Sequence, residues 1–105
     1  MDRQALEKML KQGTDNALLR YTLGALCLKQ NDPEVAAEHL AQAVKQDQGH
    51  SASWKLYGKA LARLQRAEEA RQAYQNGIAV ADAKGDVQAA KEMRVFLKRL
   101  GSEST

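Results

Sequence analysis

The sequence predicts an all-α protein of about six helices, on three observations. The 105-residue chain is rich in Ala, Leu, Gln, Lys and Glu, the residues that lose least on entering a helix. It has few aromatics (5%) and a single proline. Its apolar residues recur at intervals of three and four, which gathers them on one helix face. A chain of this length suits one domain, burying roughly 65% of the surface that the unfolded chain exposes.

The elements follow in order. Leu6, Met9 and Leu10 share a face in residues 3–12, and Gly13 supplies a left-handed stop. Asp15 or Thr14 is expected to cap a second helix running to about Gln30, with Leu19, Leu23, Leu26 and Cys27 on adjacent turns. "NDPE" is the strongest punctuation in the chain: Asn31 tolerates the left-handed conformation, Asp32 is a good N-cap, and Pro33 suits the first helical position. Val35, Ala36, Leu40, Ala43 and Val44 mark a third helix, which "DQGH" ends. Ser51 is expected to cap the fourth, with Trp54, Tyr57, Leu61 and Leu64 on one side. After a weakly marked turn at Gln65 and Arg66, the fifth carries Ala70, Ala73, Tyr74, Gly77, Ile78 and Ala81 to about Lys84. Gly85 and Asp86 form a stop and a cap. A sixth helix to Leu100 carries Ala90, Met93, Phe96 and Leu97, and the polar tail "GSEST", 101–105, is expected to be disordered.

Gly58 interrupts none of this, although a mid-helix glycine costs about 1 kcal/mol relative to Ala. Gly24 stands 34 residues before it, as Ala36 does before Ala70 and Leu40 before Tyr74. Trp54-x₂-Tyr57-Gly58-x₂-Leu61…Ala70-x₃-Tyr74 and Arg20-x₂-Leu23-Gly24-x₂-Cys27…Ala36-x₃-Leu40 both resemble the tetratricopeptide repeat, a 34-residue helix–turn–helix unit. The resemblance implies an α-α superhelix of antiparallel pairs: a single domain over 1–100, with repeats at 17–50 and 51–84. Helix 3–12 caps one end and helix 86–100 the other. It also implies that the small Gly58 and Ala70 let two helix backbones approach closely. Arg20, at the place of the large aromatic, and the absence of the terminal Pro depart from the pattern. The ending "KGDVQAAKEMRVFLKRL" resembles that of short stand-alone bacterial repeat proteins.

The resemblance implies that the first helix of each pair lines a concave groove that binds peptides. Lys55, Lys59 and Arg63 recur every four residues on such a helix, one stripe of like charge. With Tyr21 from the first pair and Lys91 and Lys98 from the last helix, they form a candidate peptide-binding groove suited to an acidic segment. The alternative for the stripe is a solvated face partly neutralised by Glu68. The Lys–Asn pairs of the chaperone-binding carboxylate clamp are absent, since Tyr21 and Ala25 stand where the first pair would need them.

Other chemistries are not expected. Cys27 is the only cysteine and falls at a core position. His39, read as lying on an outer helix face, and His50, in a loop, make no metal pair. No phosphate loop or nucleophile elbow is present, so neither an enzyme nor a cofactor is expected. The net charge of +3 makes nucleic acid an unfavoured partner even with the cluster Lys91, Arg94, Lys98 and Arg99. No segment approaches the ~20 apolar residues of a membrane span, and the expected location is the cytoplasm. The expected function is a protein-interaction module. Its rival is a structural subunit that self-associates, or joins a larger assembly, through end-helix edges near Leu10 and Phe96–Leu100.

Overall fold

Six helices stack in chain order: α1 (Arg3–Lys11), α2 (Ala17–Lys29), α3 (Pro33–Gln46), α4 (Ser51–Arg63), α5 (Ala67–Lys84) and α6 (Val87–Glu103). The computed structural model describes residues 2–103. Consecutive helices pack as neighbours, and α4 also touches both α2 and α6. The first helices of the pairs therefore form one layer, with α3 and α5 behind it.

Four turns share one closure. Thr14 N–H donates to Met9 C=O (3.0 Å), Asp32 to Cys27 (2.8 Å), Arg66 to Leu61 (3.0 Å) and Asp86 to Ala81 (2.8 Å). These six-to-one bonds need a left-handed residue beside them, supplied by Gly13, Asn31, Gln65 and Gly85. Gln65, at φ +63°, is the least suited of the four. The turn that composition marks poorly is thus built like the one 34 residues earlier.

Three local expectations are corrected. Asn16, not Asp15 or Thr14, caps α2, its side chain accepting from Leu19 N–H at 2.9 Å. Ser51 does not cap α4 but is its first residue, and its hydroxyl lies 3.4 Å from Asp86. The sixth helix does not stop at Leu100: it runs on through Gly101 and Ser102 to Glu103, leaving only Ser104 and Thr105 of the expected tail outside the described residues.

Gly58 sits beneath an aromatic ring. A methyl group there would meet Tyr74, 2.6 Å from Cδ1 and 2.7 Å from Cζ, so the close approach is between the helix and the Tyr74 ring rather than between two backbones. Gly24 receives Leu40 in the same way, 2.7 Å from Cδ2. Ala36 and Ala70 are fully buried beside these contacts. The core continues through Cys27, Leu61, Ala73, Ala81, Ala90 and Met93 into α6, while Leu6, Leu19 and Leu23 join α1 to α2.

At the place that Trp54 holds in the second repeat, Arg20 makes a polar anchor instead. Its guanidinium grips Asp15 through Nε and Nη2, both at 2.9 Å, while Gln46 donates to the same carboxylate at 3.0 Å. These bonds hold the Asp15 carboxyl well below the usual carboxylate range. Nη1 of Arg20 lies 3.2 Å from Nδ1 of His39. Arginine can only donate, so His39 accepts there and is neutral at that nitrogen. His39 is buried, 8% exposed, and not on an outer face as the sequence implies.

Burial, then the charge of Arg20, pushes the His39 imidazole below its ordinary value of 6.5, against the opposing pull of Glu7 and Glu38. Folding lowers this pKa, so the associated stability is fully present above pH 6.5 and lost as pH falls through the folded value. We expect the thermal midpoint to drop between about pH 7 and pH 5, and the drop to shrink in His39→Gln. Equal slopes in the two proteins would assign the pH dependence elsewhere.

Candidate functional site

The lysine and arginine stripe of α4 faces α6, and each of its members has an intramolecular partner. Lys55 Nζ lies 3.4 Å from Glu92 on α6. Lys59 Nζ sits over the Phe96 ring, 5.2 Å from its centroid. Arg63 Nη1 donates to the Leu28 carbonyl at 3.0 Å, in the last turn of α2, where helix carbonyls lack intrahelical donors and the dipole is negative. Glu68, the neutraliser expected from sequence, instead pairs with Arg71.

Between α4 and α6 these side chains frame a cleft of about 340 Å³, lined by Lys59, Ala62, Arg63, Tyr74, Phe96, Arg99 and Leu100. Its floor is aromatic and aliphatic: Tyr74 and Phe96 pack with centroids 5.8 Å apart. Arg99 joins Lys59 over Phe96, 5.8 Å from the ring centroid. Three cations thus meet there, and among the described residues no carboxylate lines the cleft. The magnitudes set its chemistry. A cation–π contact at an exposed site is worth roughly 0.5–1 kcal/mol, whereas a hydrogen bond to a charged group contributes about 1.5–3 kcal/mol. An anion entering the cleft gains more from Lys59 and Arg99 than the ring loses.

Of the six residues expected in the groove, two line this cleft, Lys59 and Arg63. Lys55 lies one turn away, tied to Glu92. Tyr21 is half-buried, its ring edge-on to His50 with centroids 4.8 Å apart. Lys91 and Lys98 are exposed on α6 outside the cleft lining. The structure brings in Phe96 and Arg99 instead. The signal for Arg99 is in the sequence: setting Ala90, Met93 and Leu97 of α6 in the places of Trp54, Tyr57 and Leu61 of α4, 36 residues earlier, sets Arg99 against Arg63. Phe96, three residues before it, shares its face.

At the other end, Leu6, Met9, Asn16, Leu18, Leu19 and Thr22 line a mostly apolar hollow of about 270 Å³, with Leu18 73% exposed. Of the end-helix edges named for self-association, Leu10 is half-buried against the Leu6, Leu19 and Leu23 cluster, Phe96 and Leu97 are half-buried, and Leu100 is buried. Among the described residues, no His, Cys, Asp and Glu cluster could hold a metal ion, and no helix is long and apolar enough to cross a membrane.

A family model described as tetratricopeptide repeat matches this chain twice, over residues 3–59 and 28–93. A TPR repeat-containing protein of Pseudomonas aeruginosa is 51% identical over 102 residues, 97% of each chain. The solution structure of a Bordetella parapertussis protein superposes with a TM-score of 0.82 at 43% identity, covering 98% of this chain and 90% of that one. The first TPR of Spaghetti, solved bound to an HSP90 peptide, shares the fold at 20% identity, with a TM-score of 0.68 and coverage of 94% and 90%. With its 34-residue spacing, stacked helix pairs and these matches, the chain belongs to the tetratricopeptide repeat family, whose fold generally mediates protein–protein interaction.

Proposed function

We propose that this protein is a non-enzymatic, cytoplasmic interaction module that binds an acidic peptide segment of another protein in the groove between α4 and α6. The observation that carries this reading is the convergence of Lys59, Arg63 and Arg99 on one aromatic-floored cleft with no carboxylate in its lining among the described residues. Such a site offers charge-assisted hydrogen bonds to a carboxylate and an apolar bed for the side chain beside it. Tyr21, Lys55, Lys91 and Lys98 are peripheral to the site proposed here.

The test follows from the pairing. Lys55 is already held by Glu92, so the informative variant is Lys59→Glu with Arg99→Glu, both on partly or fully exposed side chains. Probed on an array of synthetic peptides, the double variant should lose at least about tenfold in affinity for acidic sequences, the equivalent of a single charge-assisted bond. Its thermal midpoint should stay within a few degrees of the wild type. Equal retention by both proteins would remove the cleft as the binding site.

A second reading, self-association through the ends of the array, has its support in the exposed Leu18 beside the hollow formed with Leu6 and Met9. A concentration-dependent mass in sedimentation would favour it over the first.

A further inference from the structure

The three stripe cations differ in what they can still give a ligand. Lys55 is spent: Glu92 reaches across from α6 to within 3.4 Å, and three quarters of the Lys55 side chain is covered. A ligand carboxylate at Lys55 would have to displace Glu92, breaking one ion pair to make another, with little net gain. Arg63 gives one N–H to the Leu28 carbonyl and keeps the rest of its fork for the cleft. Among the described residues, Lys59 and Arg99 rest on the face of Phe96 with no carboxylate beside them, an attraction that a carboxylate outcompetes. The open cationic site is therefore a single locus at the C-terminal end of the stripe, around Lys59, Arg63 and Arg99.

That locus is bounded by apolar surface. Phe96, Tyr74, Leu100 and Ala62 make its floor and walls, and its volume of about 340 Å³ lies at the small end for ligand pockets. It sets cations and an apolar floor side by side, so an anion and an adjoining apolar side chain can be seated together. An extended run of acids would leave the apolar floor unfilled, and beyond the cleft, along α4, it would meet Lys55 already paired with Glu92.

We infer that the cleft selects an amphipathic peptide with one carboxylate anchor next to an apolar side chain, and that Glu92 is a specificity-determining residue that rejects acidic runs by standing in for the second acid. This rests on the peptide-binding reading above. It narrows that reading, because a generally basic groove would prefer the most acidic peptide.

The experiment is a two-dimensional NMR titration of the full chain with acetylated octapeptides in a Gly/Ser background, at about 0.15 M salt to screen exposed charges. One probe carries an adjacent Leu–Glu pair, one a single Glu, and one four consecutive Glu residues, all with amidated ends. A fourth ends in Leu with a free carboxylate. In the wild type, the Leu–Glu or the Leu-carboxylate probe should bind about tenfold tighter than either all-polar probe, the worth of one buried aliphatic side chain. Whichever of the two binds tighter identifies the carboxylate as side-chain or terminal. Glu92→Gln should raise the affinity of the four-Glu probe about threefold or more while leaving the apolar probes unchanged.

If the four-Glu probe binds the wild type as well as the Leu-containing ones, or Glu92→Gln changes nothing, this inference fails while the groove reading stands. If no probe shifts resonances at the cleft, or binding persists in Lys59→Glu/Arg99→Glu, both fall together.

Discussion

Gly58→Ala is expected to lower the thermal midpoint by about 10 °C, although alanine is the better helix former. Two effects oppose each other. Intrinsic propensity favours Ala by about 1 kcal/mol in a helix interior. Against this, the new methyl would lie 2.6–2.7 Å from carbons of the Tyr74 ring, far inside contact distance. The ring is 2% exposed and packed against Phe96, so it cannot swing aside as a flexible chain end could. Overpacking of this kind costs about 1–3 kcal/mol, and the rigidity of the ring places it at the upper end, for a net loss of about 2 kcal/mol. Gly101→Ala is the internal control. Its methyl would meet nothing within 4 Å, so the same substitution there should be neutral or stabilising by up to about 1 kcal/mol. A Gly58→Ala protein as stable as the wild type would show that Tyr74 does not occupy the glycine's missing side-chain space.

Leu40→Ala is expected to cost about 3 kcal/mol, within the 2–5 kcal/mol range of buried Leu→Ala changes. Leu40 is fully buried, and its side chain fills the notch above Gly24, so truncation leaves a void between α2 and α3 that the stacked helices cannot readily close. For a domain stabilised by about 5–15 kcal/mol in total, this is a large fraction. The same contact predicts a rescue. Gly24→Ala alone should destabilise, because its methyl collides with Leu40, yet in the Leu40→Ala background it enters the vacated space. The double variant should therefore be more stable than the sum of the two losses by more than about 1 kcal/mol. Denaturant unfolding of the four proteins measures this directly; strict additivity would mean that the two positions do not share the notch.

Much of this architecture is legible in the chain because it repeats. The spacing of 34 residues between Gly24 and Gly58, and between Leu40 and Tyr74, predicts both the helix pairs and which residue lies over each glycine, even though the resemblance assigns the close approach to the backbones. Helix starts are less legible where capping groups compete. Asn16 and Asp15 are both good caps, and the choice falls to Asn16 because Asp15 is recruited by Arg20 and Gln46. His39 illustrates the same limit. Its spacing places it outside the apolar stripe, and only the arrival of Arg20 from α2 gives a buried imidazole a partner.

The site was half legible. Lys55, Lys59 and Arg63 stand out as a stripe on one helix, since i to i+4 spacing is fixed by helix geometry alone. What each can still bind is not a property of that helix. Glu92 and Phe96 arrive from α6, and Leu28 from α2, at separations where no local rule operates. By itself the sequence determined the six helices, the repeat that pairs them, and the small residues at which they close. The tertiary structure alone decided which charges are neutralised and which remain open, because electrostatic partnership depends on distance in space and the stacking of α2, α4 and α6 sets those distances.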